Sequence, residues 1–132
     1  MFKLHPRLQA DTTHIQTLEV CGLYLMNDAR YPWLILVPHI NDVREMHHLP
    51  SANYSALCNE IRQISTLLET CFKPEKLNIG ALGNIVPQLH IHIIGRHAKD
   101  PAWPGPVWGV GEGLSYDPQE KEDRIALIKK HL

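Results

Sequence analysis

A chain of 132 residues, 44% hydrophobic and 20% charged, has the length of one ordinary domain and the composition of a folded protein, neither disordered nor fibrous. Its formal charge of −1 offers no concentrated basic face for duplex nucleic acid. Its longest apolar stretches, residues 22–26 and 33–37, fall far short of the ~20 residues that a membrane span needs.

We expect a single domain over residues 1–132, with no membrane association. Residues 1–6 lack the continuous apolar region of a secretory signal. Cys21, Cys58 and Cys71 are widely spaced, with no Cys-x-x-Cys pair, and read as buried thiols in a reducing cytoplasm. No cofactor is expected.

Two short apolar runs within residues 14–26, separated by Glu19, and a third at 33–37 between Pro32 and Pro38, read as strands. Asn27-Asp28-Ala29-Arg30 is the turn between the last two. From Ser51 to about Phe72 a helix is expected, capped by Ser51 and stopped by Pro74. Tyr54, Leu57, Cys58, Ile61, Ile64, Leu68 and Cys71 recur at three and four and would form its buried face.

Residues 76–82 read as a strand, 83–87 as a connection, and 88–94 as the clearest strand in the chain. The stretch 96–113, rich in glycine and proline and carrying Trp103 and Trp108, is an irregular arm that needs another surface to lie against. Asp117-Pro118 pairs a capping residue with proline at the first helical position, opening a C-terminal helix over about 117–131 with Ile125 and Ile128 inward. Strands on either side of one long helix give an α+β domain with an antiparallel sheet.

The strand Gln88-Leu89-His90-Ile91-His92-Ile93-Ile94 alternates with period two. Leu89, Ile91 and Ile93 face the helix, and Gln88, His90 and His92 face the other way. Three readings of that polar row stand side by side. It could be a solvent-facing strand surface. It could be a His-x-His metal site completed from His39, His47, His48 or His97, although no acidic residue follows within the strand. Or it could serve nucleophilic catalysis on a phosphate. An imidazole attacks through one bare nitrogen while the other keeps its proton on an acceptor. The 83–86 turn, with Asn84, could then supply donors for the phosphoryl oxygens.

This stretch resembles the histidine-triad signature, His-φ-His-φ-His-φ-φ with φ apolar, with Gln88 at the first histidine. The segments Leu25-Met26-Asn27-Asp28, Pro32-Trp33-Leu34-Ile35-Leu36-Val37-Pro38 and Lys76-Leu77-Asn78 fall in the same order as in that family. The resemblance covers about residues 4–109 and is greatest to short bacterial members often described as diadenosine tetraphosphate hydrolase-like.

The resemblance implies a HIT-like fold, a homodimer, and a nucleotide substrate attacked at its α-phosphate by His90, forming a nucleotidyl-histidine that water then cleaves. It implies that His92 supports the phosphate, that Asn27 or Asp28 meets the ribose, and that Asn84 and Asn78 occupy polar positions of the site. Two departures bear on the reaction. Gln88 cannot transfer a proton near neutral pH, and Pro32-Trp33 stands where many members have Gly-His. Phosphoramidates, whose amine leaving group needs a proton, should therefore be poorer substrates than dinucleoside polyphosphates. A nucleotide-binding protein with little catalysis is the alternative.

Overall fold

The computed structural model describes residues 1–132. A short helix, α1 (Pro6–Asp11), leads into β1 (Thr12–Thr17), β2 (Cys21–Met26) and β3 (Trp33–Pro38). A single 3-10 turn at Met46–His48 precedes α2 (Ser51–Phe72), and β4 (Lys76–Gly80), β5 (Ile91–Arg96) and α3 (Pro118–Lys130) follow. The five strands form one antiparallel sheet in the order β1-β2-β3-β5-β4. No helix is long and apolar enough to cross a membrane.

Both faces of the sheet are covered, which is why β2 and β3 read as continuous apolar runs instead of alternating ones. Leu23, Leu25, Leu34, Leu36, Ile91 and Ile93 meet Leu57, Ile64 and Leu68 of α2 and Ile128 of α3. Each such fully buried aliphatic contributes about 1.5–3 kcal/mol. Tyr24, Trp33, Ile35, Val37 and Ile94 point to the opposite face, where Leu8 of α1, Val86 and Val107 cover them.

The long helix has the expected bounds, but its cap and its inner face differ from expectation. Pro50, not Ser51, is the N-cap, with no side-chain hydrogen bond, and Ser51 is the first helical residue. Lys73 ends the helix at φ 47°, ahead of Pro74. Tyr54 and Cys58 are exposed and Cys71 is half-buried, so of the three cysteines only Cys21 is a buried thiol. Glu60 takes an inner position instead, its Oε1 accepting the N–H groups of Val20 and Cys21 at 2.9 and 3.2 Å. Those two turn amides need an acceptor, and the carboxylate supplies it.

Two strands are shorter or later than their patterns predict. β4 stops at Gly80, and Gly83 turns the chain out at φ +70°, a conformation glycine adopts without strain. With β4 ended, residues 88–90 lose a ladder partner, so β5 begins at Ile91. The N–H of Leu89 bonds instead to the carbonyl of Val43 at 2.9 Å. At the other end of the chain α3 forms as expected, with Asp117 capping the N–H of Glu120.

Candidate active site

The alternation at residues 89–93 survives the late start of β5. Leu89, Ile91 and Ile93 lie in the helix-side core, and His90 and His92 come together on the opposite face with ring centroids 4.9 Å apart. Each is only 6% exposed. These rings are too enclosed to be an ordinary solvent-facing row.

Their hydrogen bonds fix opposite tautomers. Nδ1 of His90 lies 2.7 Å from the carbonyl oxygen of Gln88. A carbonyl only accepts, so Nδ1 carries the proton and Nε2 keeps a bare lone pair. For His92 the partner is a donor: the indole Nε1–H of Trp33 bonds to Nδ1 at 3.0 Å. Nδ1 of His92 is therefore the acceptor and Nε2 bears the proton. Burial, with His90 adding to it, pushes the His92 imidazole down to about 3, so this ring stays neutral across the physiological range. Trp108 closes over it edge-on, 5.3 Å from its centroid and 6.4 Å from Trp33.

The two rings open onto a cavity of about 620 Å³ whose wall includes His5, Arg7, Asn84, Val86 and Trp108. A second cavity, of about 360 Å³, is bounded by Asn27, Asp28, Arg30 and the arm around residues 107–115. Asp11, Met26, Trp108 and Gly109 line both, so the two form one groove. Its volume is that of a nucleotide-sized ligand. The backbone N–H groups of Asn84, Ile85 and Val86 enter no backbone hydrogen bond, leaving donors beside the bare nitrogen of His90.

The other candidate residues are placed differently. Gln88 is separated from the large cavity. Its amide bonds to the N-terminal segment, Oε1 accepting from the N–H of His5 at 2.8 Å and Nε2 donating to the carbonyl of Lys3 at 3.0 Å. It touches only a small side cavity that it shares with His90. Asn78 lies outside the groove, accepting from Nη1 of Arg96 at 2.7 Å.

Asn27 and Asp28 are at the groove wall, but both hold the arm. Asn27 accepts from the N–H of Tyr116 and donates to the hydroxyl of Ser115. Asp28 is buried and takes Arg30, through both Nε and Nη2, and the N–H of Leu114. Burial alone would raise its carboxyl, but the hydrogen bonds from Arg30 and Leu114 outweigh it and hold the group below the usual range. Asn27 is exposed and keeps hydrogen-bonding capacity; Asp28 has little left.

Trp103 does not enter the groove and packs over the guanidinium of Arg96. That arginine, 1% exposed, is gripped by both oxygens of Asp100 at 2.8 and 3.0 Å. Together they staple the start of the arm to β5.

Three features of the groove escaped the sequence: His5, Arg7 and the donor role of Trp33. His5-Pro6 repeats the capping pattern of Asp117-Pro118 and could have announced α1. Nothing local announces that α1 would lie beside His90. The metal reading finds no support in the geometry, because no group of three His, Cys, Asp or Glu side chains converges on one point.

Comparison with known proteins decides the family. The profile of the HIT domain matches residues 7–99. The chain belongs to the histidine triad family. It is 43% identical to a histidine triad protein of Bradyrhizobium japonicum, with a TM-score of 0.96 and coverage of 98% of this chain and 97% of that one. A histidine triad protein of Sinorhizobium meliloti is 44% identical over 99% and 97% of the two chains, TM-score 0.97. One from Marinobacter aquaeolei is 42% identical over 100% and 96%, TM-score 0.97. No curated protein sequence matches the chain. HIT proteins in general bind nucleotides and act as nucleotide hydrolases or transferases, and the five-stranded α+β architecture here is theirs.

Proposed function

We propose that this HIT protein hydrolyses or transfers nucleotides at the α-phosphate of a nucleoside polyphosphate, of the dinucleoside polyphosphate type, through a nucleotidyl-histidine at His90. The observation that carries this reading is the tautomer of His90, whose Nδ1–H is held by the Gln88 carbonyl so that Nε2 is unprotonated at the cavity. A nucleophile so held needs no general base of its own.

In the first step Nε2 of His90 forms a bond to the α-phosphorus, and the bond from phosphorus to the leaving phosphate oxygen breaks, with the electron pair departing on that oxygen. In the second, water attacks the same phosphorus and the N–P bond breaks, returning the pair to Nε2 while the water gives up a proton to solvent. Negative charge on the equatorial oxygens meets the N–H of His92 Nε2 and the free amides of the 84–86 turn, donors fixed before the reaction begins. The second cavity would take the nucleoside, with Asn27 better placed than Asp28 for a ribose hydroxyl. Asn84 would face the phosphates.

Mixing the protein with diadenosine tetraphosphate labelled in the adenylyl group, then quenching in alkali, tests this directly. A base-stable adenylyl group on His90 is expected. Nucleotide binding with neither label nor turnover would leave a nucleotide-binding protein without catalysis.

A further inference from the structure

The first position of the triad motif is occupied by Gln88, and its amide has been put to another use. Its two ends bond to the backbone on either side of Leu4, accepting from the N–H of His5 and donating to the carbonyl of Lys3. An amide can satisfy one donor and one acceptor at once; an imidazole in one tautomer could do so only through two nitrogens set differently. The segment is held from below as well, since Phe2, Leu4 and Leu8 pack on the groove-side core. The N-terminal segment is thus latched next to the reactive strand.

The latch puts His5 in the wall of the large cavity, together with His90 and His92. Nδ1 of His5 accepts from the N–H of Arg7 at 3.0 Å. The proton of the neutral ring is then on Nε2, which makes no hydrogen bond within the chain and is a donor without a partner. This is the tautomer that Trp33 imposes on His92, reached here through a backbone amide. Arg7 and Asp11 are the charged groups beside it, and they neutralise each other in an ion pair of 2.9 Å. An anion entering the cavity therefore meets the His5 N–H without an unpaired carboxylate in its way.

We propose that His5 is a substrate-binding residue of this groove, donating its Nε2–H to a phosphoryl oxygen of the phosphate chain, and that Gln88 is the residue that positions it. The proposal rests on reading the large cavity as the phosphate site, and it gives Gln88 a role other than that of a degraded catalytic histidine.

The test separates donation from simple capping. His5→Asp keeps an acceptor for the N–H of Arg7 but has no donor, whereas His5→Asn keeps both. His5→Ser, an uncharged cap too short to reach where Nε2 lies, removes the effect of the added carboxylate charge and is expected to lose ATP affinity selectively as well. Affinity for ATP and for adenosine is measured by calorimetry, and kcat/KM with diadenosine tetraphosphate. His5→Asp is expected to lose about ten- to a hundredfold in ATP affinity and in kcat/KM, the size of a hydrogen bond to a charged group. Adenosine affinity should stay within about twofold, and His5→Asn should recover most of the loss. Gln88→Leu should show the same selective loss, and Gln88→Leu with His5→Asp no more than either alone.

If His5→Asp and His5→Asn bind ATP equally well, the ring only caps α1 and the proposal is overturned. If His90 takes no label but the uncharged Ser variant still weakens ATP selectively, the catalytic reading fails and this one stands. If His5→Ser binds ATP as the unaltered protein does, the loss in His5→Asp is charge repulsion and the proposal is overturned. No ATP binding by the unaltered protein would end both.

Discussion

The indole N–H of Trp33 donates to Nδ1 of His92 across 3.0 Å, in a buried position. A donor-only side chain thereby sets the tautomer of a ring that is itself too buried to ionise. Trp33→Phe keeps an aromatic ring but leaves Nδ1 unsatisfied, at a cost of about 1–3 kcal/mol in folding stability. Nitrogen-15 NMR should then show His92 sampling both neutral tautomers, and kcat should fall about tenfold, equivalent to about 1.4 kcal/mol. Trp33→His restores a donor and should recover part of both.

Acid should destabilise the protein through His92 before it does so through any carboxylate. The ring is neutral in the fold down to about pH 3 but takes a proton near 6.5 when unfolded. Its contribution is therefore complete above about 6.5 and declines as pH falls toward 3, by about 1.4 kcal/mol per unit at most. Urea midpoints measured between pH 7 and 4 should fall accordingly, and His92→Phe should flatten that slope. An unchanged slope would show the ring to be accessible to protons in the fold.

Asp100 governs a lower window. Arg96 holds its carboxyl at about 2, against about 3.9 unfolded, so the pair stabilises fully above about pH 4 and is lost as pH drops through 2, about 2–3 kcal/mol in all. Asp100→Asn at neutral pH should cost more, about 3–5 kcal/mol, because it leaves the guanidinium of Arg96 buried without its counter-charge. Thermal unfolding checks both.

For His90→Ala we expect activity to collapse by at least about a thousandfold, with ATP affinity retained within a fewfold. The lost nitrogen bonds to phosphorus only during reaction, so single-turnover rates and binding should separate cleanly.

Discrimination between leaving groups is a further kinetic expectation. Gln88 cannot give up a proton, and the rings of His92 and His5 are each held on Nδ1 by a donor, Trp33 and the backbone of Arg7. None of these three is set up to protonate a departing amine. Adenosine phosphoramidate should turn over more slowly than diadenosine tetraphosphate. Equal or faster turnover would contradict this account.

The strand patterns of residues 33–37 and 89–93, the Asp117-Pro118 cap and the shared face of His90 and His92 each had a local signal, and the structure places them accordingly. Gln88, expected in the same row, is drawn off to the N-terminal segment. What the sequence concealed were contacts made across the chain. The latch joins Gln88 to residues more than eighty positions earlier, and no periodicity records that. Asn78 was implied as a site residue by the resemblance alone; its actual partner, Arg96, is a buried cation that composition would have placed on the surface. Cys58 fell on the inward side of a plausible helical stripe, but the true inner face is turned toward Glu60, whose carboxylate anchors the β1–β2 turn.

Because neighbouring residues of β5 serve opposite layers, the reactive imidazoles cannot be relocated piecemeal. Inserting one amino acid ahead of Ile91 would swing His92 into the aliphatic interior and turn Ile93 toward the ligand. Tolerance to indels should therefore be nil along that short stretch, so that new specificities in such a scaffold would arise by substitutions in the loops around a fixed pair of rings.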